Sequence, residues 1–314
     1  MLAQGGHVFR ARWVAAASRG MPRNRCTGQA YRGVNVLLLW DAAIAGGYVR
    51  NVWLTYRQAC ALGAQVRKGE HGVMCAHFER VARDVVRGAR AAGGVIEGGP
   101  DAEDGEGGEG ADARAGLVLR CRPFWLFNVA QVDGLPESVA EAMGKGAPGA
   151  TDEAGGAPDE PANAVEKALR LAAGCGAVVR HGFSGAVYLP GLDEVRLPLP
   201  RQFVNGENYC ATLLHELVHW TGHPQRLSRA FGQRFGDAAY AFEELVAELG
   251  SAFLMGHCGL VDATIEGHAA YLQAWLAVLR RDRTAIFTAA RLASEAFDFL
   301  VARQLPPLGT LQRP

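Results

Sequence analysis

The sequence predicts an α+β protein of two domains, and three observations predict it. Helical and strand-like segments are mixed in both halves, two low-complexity stretches punctuate the chain, and charge is divided unevenly between the halves. At 314 residues, 49% of them hydrophobic, the chain is long enough for two domains that each bury a core. The formal net charge of zero conceals an asymmetry. Met1 to Arg83 holds twelve Lys or Arg against Asp41, Glu70 and Glu79, a net of +9, which leaves −9 for the remainder. A basic first part joined to an acidic second part points to a polyanionic partner for the first part alone.

Taken in order, "NVLLLWDAAIAGG" and "TYRQACALG" read as helices between Arg32 and Gly63, the second capped by Thr55 and stopped by Gly63. Two strand-like runs follow, "GVMCAHFERV" (72–81) and "LVLRCRPFWLFNV" (117–129), and Trp40, Phe124, Trp125 and Phe127 sit in apolar runs as core. Between the strands lies a Gly-rich acidic stretch, 88–116, which cannot bury enough apolar surface to offset its ordering entropy. It reads as a disordered insert, 84–116, in a hairpin of a first domain spanning 1–142. A Gly, Ala and Pro-rich linker covers 143–163. The second domain, 164–304, opens with a helix, passes through the short strands "AVVRHGF", "AVYLP" and "EVRLPL", and continues as helices. One of these helices starts from Asp237 as N-cap, and another carries Tyr271, Leu272, Trp275, Leu276 and Leu279 as core.

The seven cysteines are scattered without a C-x-x-C pair, which argues against a disulfide scaffold and a cysteine-zinc site and fits reduced thiols. No apolar run approaches the roughly 18 residues needed to span a bilayer. The N-terminus lacks the pattern of a secretory signal, so the expected location is the cytoplasm.

The chemistry concentrates in "ATLLHELVHWTGH" (211–223). His215 and His219, four apart on a helix, project from one face, while Cys210, Leu213, Leu214 and Leu217 face the core. Two imidazoles so placed suit a divalent metal, and Glu216 is close enough to act as general base without being a ligand. This is H-E-x-x-H, the signature of a zinc-activated water. The longer H-E-x-x-H-x-x-G-x-x-H pattern would need a third His where Gln225 stands; Gly222 fits it, but His223 comes early, at the helix end. The third ligand is therefore expected from "AFEELVAELGSAFL", where Glu244 shares a helical face with Tyr240, Glu248 and Ser251. On this reading His215, His219 and Glu244 hold one Zn2+, or another divalent metal. Glu248 orients a histidine by accepting its other N–H, and Tyr240 stabilises the oxyanion. Glu243, about 100° away, reads as solvated. The strands around Pro190-Gly191 include a candidate sheet edge for docking an extended peptide.

Together, "YRGVNVLLLW", "WLTYRQACALGAQVRKGEHG", "FNVAQVDGLP", "ATLLHELVHWTGH" and "AFEELVAELGSAFL" resemble the ArdC-type antirestriction proteins of conjugative plasmids, from about Tyr31 to about Leu300. That resemblance implies an N-terminal single-stranded-DNA-binding domain and a C-terminal zincin-like metallopeptidase domain. It implies the same roles for His215, Glu216 and His219. Glu244 and Glu248 also resemble the gluzincin pattern, in which a Glu-x-x-x-acid pair lies on the next helix. The first thirty residues carry no clear version of the helix that usually opens these proteins, and the acidic insert is an elaboration on them.

A single-strand-binding domain needs cations for phosphates and aromatic faces for bases. Tyr31, Arg32, Asn35, Trp53, Tyr56, Arg57, Arg67 and Lys68, with Arg23 and Arg25, interleave those types. The first expectation is thus a zinc metallopeptidase of unidentified peptide substrate that binds single-stranded DNA and protects it from restriction. The competing one is a single-stranded-DNA-binding protein in which zinc only braces the second domain.

Overall fold

A computed structural model describes residues 20–82, 117–137, 161–231, 238–260, 282 and 284–304. The expected insert, most of the linker, Asp237 and the stretch from Tyr271 to Leu279 lie outside these residues. Among the described residues no helix is long and apolar enough to cross a membrane.

The N-terminal elements are β1 (Arg23–Asn24), α1 (Val34–Ala45), β2 (Val52–Leu54), α2 (Tyr56–Ala61), β3 (Gln65–Val66), β4 (Val73–Ala82), β5 (Leu117–Asn128) and β6 (Val132–Asp133). They form a four-stranded sheet of order β1-β2-β5-β4 and a two-stranded sheet of β3 and β6. β1 runs parallel to β2, and β2 antiparallel to the end of β5. Thr55 caps α2 as expected, accepting from the Gln58 N–H while the Gln58 side chain accepts from the Thr55 N–H. Gly63, at φ +73°, then turns the chain into the left-handed region.

Trp53, expected to offer a face to a base, is instead fully buried. It lies on an interior strand, its ring meets Tyr48 edge-on, and its Nε1 donates to Asn51 Oδ1 at 2.8 Å. With the ring at 0% exposure, it has no route to a ligand.

Most of β4 and the first part of β5, residues 74–82 and 117–125, belong to a compact unit of their own. Arg120 and Arg122 both pair with Glu79 there, at 2.6 and 2.7 Å. Trp125, expected in the core, is 52% exposed, because successive side chains on β5 alternate and it is Leu126 that turns inward.

The C-terminal elements are α3 (Pro161–Gly174), β7 (Val178–His181), β8 (Val187–Leu189), β9 (Glu194–Leu197), α4 (Gly206–Thr221), α5 (Ala238–Cys258) and α6 (Ala285–Val301). The three strands make a sheet of order β7-β9-β8, with β7 parallel and β8 antiparallel to β9. Both parts of the sequence are therefore α+β. The described residues up to Val73 and from Leu126 onward also pack as one compact unit with a common core. Val36, Leu37 and Trp40 of α1 lie in the same apolar cluster as Leu214, Leu217, Leu249 and Phe253. The Trp40 and Phe253 rings meet edge to face at 5.8 Å. The Gly33 N–H donates to Ser294 Oγ at 2.8 Å, and Arg32 pairs with Asp298.

α4 and α5 cross closely enough that a Cβ on Gly250 would stand 2.9 Å from both methyl carbons of Val218. Gly250→Ala is expected to destabilise the fold by about 1–3 kcal/mol, the range for inserting a methyl into a packed core. Urea unfolding would measure it, and an unchanged midpoint would mean that the helices can separate freely.

Candidate metal centre

The site begins with a helix that is buried nearly all round. Asn205 starts α4, its side chain accepting from the Asn208 N–H at 2.8 Å, and Gly222 ends it two residues before Pro224. From Cys210 to Thr221 every residue is buried, including His215, Glu216 and His219. The sequence pattern predicts a half-buried helix with a polar side. What covers that side is α5 and the loop after α4, which bring Glu243 and Glu244 against the histidines and Arg229 against Glu243. Buried polar groups of this kind persist only when paired.

His215 Nε2 and His219 Nε2 lie 3.2 Å apart. Glu244 places Oε2 at 3.6 Å from the first and Oε1 at 3.5 Å from the second. Donors at the corners of a tetrahedron around an ion, with bonds of about 2.0–2.1 Å, would be about 3.3–3.4 Å apart. Three donors at that spacing leave the fourth corner for a water or a substrate, so the residues fit a divalent metal.

The back of His219 is held by Glu243. His219 Nδ1 is 3.3 Å from Glu243 Oε1, and the guanidinium of Arg229 grips the same carboxylate from the other side at 2.7 and 3.0 Å. The helical wheel puts Glu243 on a solvated face and gives Glu248 the task of orienting a histidine. The structure corrects the placing of Glu243, which is buried. The carboxylate at His219 Nδ1 is the one next to the ligand, because α5 presents that flank to α4 and not to water. Sequence reasoning does not find Arg229. Its only trace there is an arginine just beyond the helix end, where a buried acid needs a partner.

Glu216 is buried beside the pair. Burial pushes its pKa up, against the opposing pull of His215 and His219, and the backbone of Tyr188 hydrogen-bonds to its carboxyl. Tyr188 is on β8, the sheet edge expected to dock a peptide. That edge is pinned to α4: Tyr188 donates to Asp193 Oδ1 at 2.9 Å, and Arg226 forks onto Asp193 while stacking 3.9 Å above the Trp220 ring. Tyr240 is half-buried on α5, one turn before Glu244. His223 lies past the helix end and outside the ligand cluster.

The residues expected to meet nucleic acid are divided. Tyr56, Arg57 and Lys68 are exposed. Arg67 is engaged by Glu70, Asp133 and the Ala130 carbonyl, and Arg32 by Asp298. Tyr31 accepts from Asn24 at 2.8 Å, and Asn35 is half-buried in the first turn of α1. Arg25 donates to the Pro136 and Glu137 carbonyls, and Arg23 reaches the Gly28 carbonyl at 3.4 Å.

Similarity to known proteins covers both parts of the chain. The family model described as the N-terminal domain of anti-restriction factor ArdC matches residues 2–112, and that of a zincin-like metallopeptidase matches 166–292. The crystal structure of the antirestriction ArdC protein from plasmid R388, metal-free, is similar at 33% identity and a TM-score of 0.66, over 94% of this chain and 95% of that one. The chain belongs to the ArdC antirestriction family. The Mn(II)-bound structure of R388 ArdC gives 32% identity and a TM-score of 0.65, over 96% of this chain and 98% of that one. Protein y4eC of Sinorhizobium fredii is 38% identical over 90% of this chain and 81% of its own length. A DNA primase TraC of Escherichia coli is 35% identical over 90% of this chain, which spans only 24% of that protein.

The charges of this ArdC-family site set its response to pH. At His219 burial works against the charged ring, but Glu243 and Glu244 outweigh it and raise the pKa to about 10. At Glu244 burial likewise opposes ionisation, and hydrogen bonds from both histidines hold its pKa far below the usual range. With no ion bound, the raised His219 value stabilises the fold in full below its unfolded pKa of about 6.5, and the stabilisation is lost as pH rises through about 10. A divalent ion must displace that proton. Its affinity is expected to rise about tenfold per pH unit between about 6.5 and 8.5. Chelator competition across that range measures the slope, and a flat profile would remove His219 from the ligand set.

Proposed function

We propose that this chain is a zinc-dependent peptidase of the antirestriction type that binds single-stranded DNA entering the cytoplasm. The observation that carries the reading is the convergence of His215, His219 and Glu244 at tetrahedral spacing, with the Glu216 carboxylate buried beside them. Two imidazoles and a carboxylate with one open corner suit catalytic zinc. The Mn(II)-bound form of R388 ArdC supports a site that also accepts other divalent ions.

A divalent ion held there would supply Lewis-acid polarisation and an acidified water at neutral pH. Glu216 takes one proton from the attacking water and returns it to the amine nitrogen as the peptide C–N bond breaks. A carboxylate whose pKa burial has raised is suited to both halves of that transfer. The edge of β8, joined through the Tyr188 main chain to Glu216, lays an extended peptide across the site. Tyr240, one turn from Glu244, donates to the developing oxyanion. Single-stranded DNA meets the exposed Tyr56, Arg57 and Lys68, where a cation and an aromatic face are presented together.

Glu216→Gln is expected to bind zinc with unchanged stoichiometry and to lose peptidase turnover by at least about a hundredfold. Metal analysis beside a peptide-library digest reads both, and undiminished turnover would sink the mechanism. If the variant still protects DNA as well as the parent, zinc is structural and the chain acts by binding.

Replacing Arg57 and Lys68 by Ala should weaken binding of a labelled single-stranded oligonucleotide. The slope of log affinity against log salt should become shallower by about 0.7 for each phosphate that is no longer neutralised. An identical slope would place the DNA elsewhere.

A further inference from the structure

We infer that Arg229 is the positioning residue of the metal centre and that Gly222 exists to make room for it. The inference rests on the metal site proposed above. Arg229 is buried, and its guanidinium spends its N–H groups on three partners from two helices. Nε and Nη2 hold the Glu243 carboxylate at 3.0 and 2.7 Å, Nη1 donates to Thr221 Oγ1 at 2.8 Å, and Nη2 donates to the Val218 carbonyl at 2.6 Å. One side chain thus ties the last turn of α4 to the segment of α5 that carries Glu243 and Glu244.

The consequence reaches the metal through His219. Glu243 Oε1 faces His219 Nδ1 at 3.3 Å, and an ionised carboxylate can only accept there. Nδ1 therefore keeps its hydrogen, and Nε2, 3.2 Å from His215 Nε2, offers its lone pair to the ion. Without Arg229 the carboxylate has no fork to fix it, and the ring has no steady acceptor to select its tautomer and its rotation. A lysine would not substitute, since an ammonium cannot span a carboxylate, a hydroxyl and a carbonyl in one plane.

Gly222 supplies the second observation. It sits in ordinary helical backbone, φ −76° and ψ −8°, so no left-handed conformation demands glycine there. What excludes a side chain is proximity. A Cβ would stand 2.9 Å from Arg229 Nη2, 3.1 Å from its Cζ and 2.7 Å from Phe231 Cζ. The third residue after the H-E-x-x-H run is therefore glycine because the Phe231 ring and the Arg229 guanidinium both lie against its backbone.

The test measures zinc affinity by competition with a chromophoric chelator, together with long-range 1H–15N spectra of the His219 ring. In the zinc-loaded protein Arg229→Met is expected to weaken zinc binding about 10- to 100-fold and to broaden the His219 Nδ1–H signal, which loses its fixed acceptor and exchanges faster with water, and Arg229→Lys should not restore either. Gly222→Ala, permitted by its backbone angles, should shift both readouts in the same direction by displacing the guanidinium, and it stands in if Arg229→Met does not fold. Zinc affinity within twofold of the parent in every variant that folds, with the ring spectrum unchanged and only thermal stability lowered, would reduce Arg229 to a structural role and overturn the inference. A parent that binds zinc but cleaves no peptide would instead refute the peptidase reading and leave the inference standing. A parent that binds no divalent metal would overturn both.

Discussion

The packing of α4 against α5 is the constraint on which the rest of the molecule depends. α4 is buried on every side from Cys210 to Thr221, yet it carries two imidazoles and a carboxylate into that interior. Isolated, such groups would cost several kcal/mol each to desolvate. They are tolerated because α5 delivers Glu243 and Glu244 to the same place, and Arg229 closes the circuit from the loop. Gly250 sets how near the helices come, and so the reach of those carboxylates.

That packing also explains why the strands matter. β8 is an edge of a small sheet, and a short edge strand has little of its own to fix its position. The Asp193–Arg226–Tyr188 cluster fixes it from the loop after α4, with Arg226 laid over Trp220 of that helix. The main chain of Tyr188 then arrives at Glu216 with a hydrogen bond. The loop from His223 to Arg229 therefore serves two ends at once, Arg226 steadying the strand and Arg229 the metal helix pair.

Much of this is legible in the sequence, and what is not has physical reasons. The spacing of His215, Glu216 and His219 and the placement of Glu244 on the next helix follow from helical geometry alone, and the structure brings the three metal donors together. Thr55 and Gly63 are readable because caps and positive-φ turns use local chemistry. Glu243 is misplaced by the helical wheel, which shows faces but not what covers them; an arginine fourteen residues earlier takes it out of solvent. Trp53 and Trp125 change places for the same reason. An aromatic in a strand is core or surface according to which side the sheet packs, and that is a tertiary fact.

The seating of α1 bears on what each part of the chain needs from the other. Trp40 fills a space beside Phe253 on the helix that carries Glu244, while Gly33 and Arg32 are fastened to the last described helix. The N-terminal segment is thus part of the wall behind the metal centre. Two segments that complete one interior lean on each other, since either alone would present an oily face to water. The similarity to a far longer primase likewise runs through both parts of the chain.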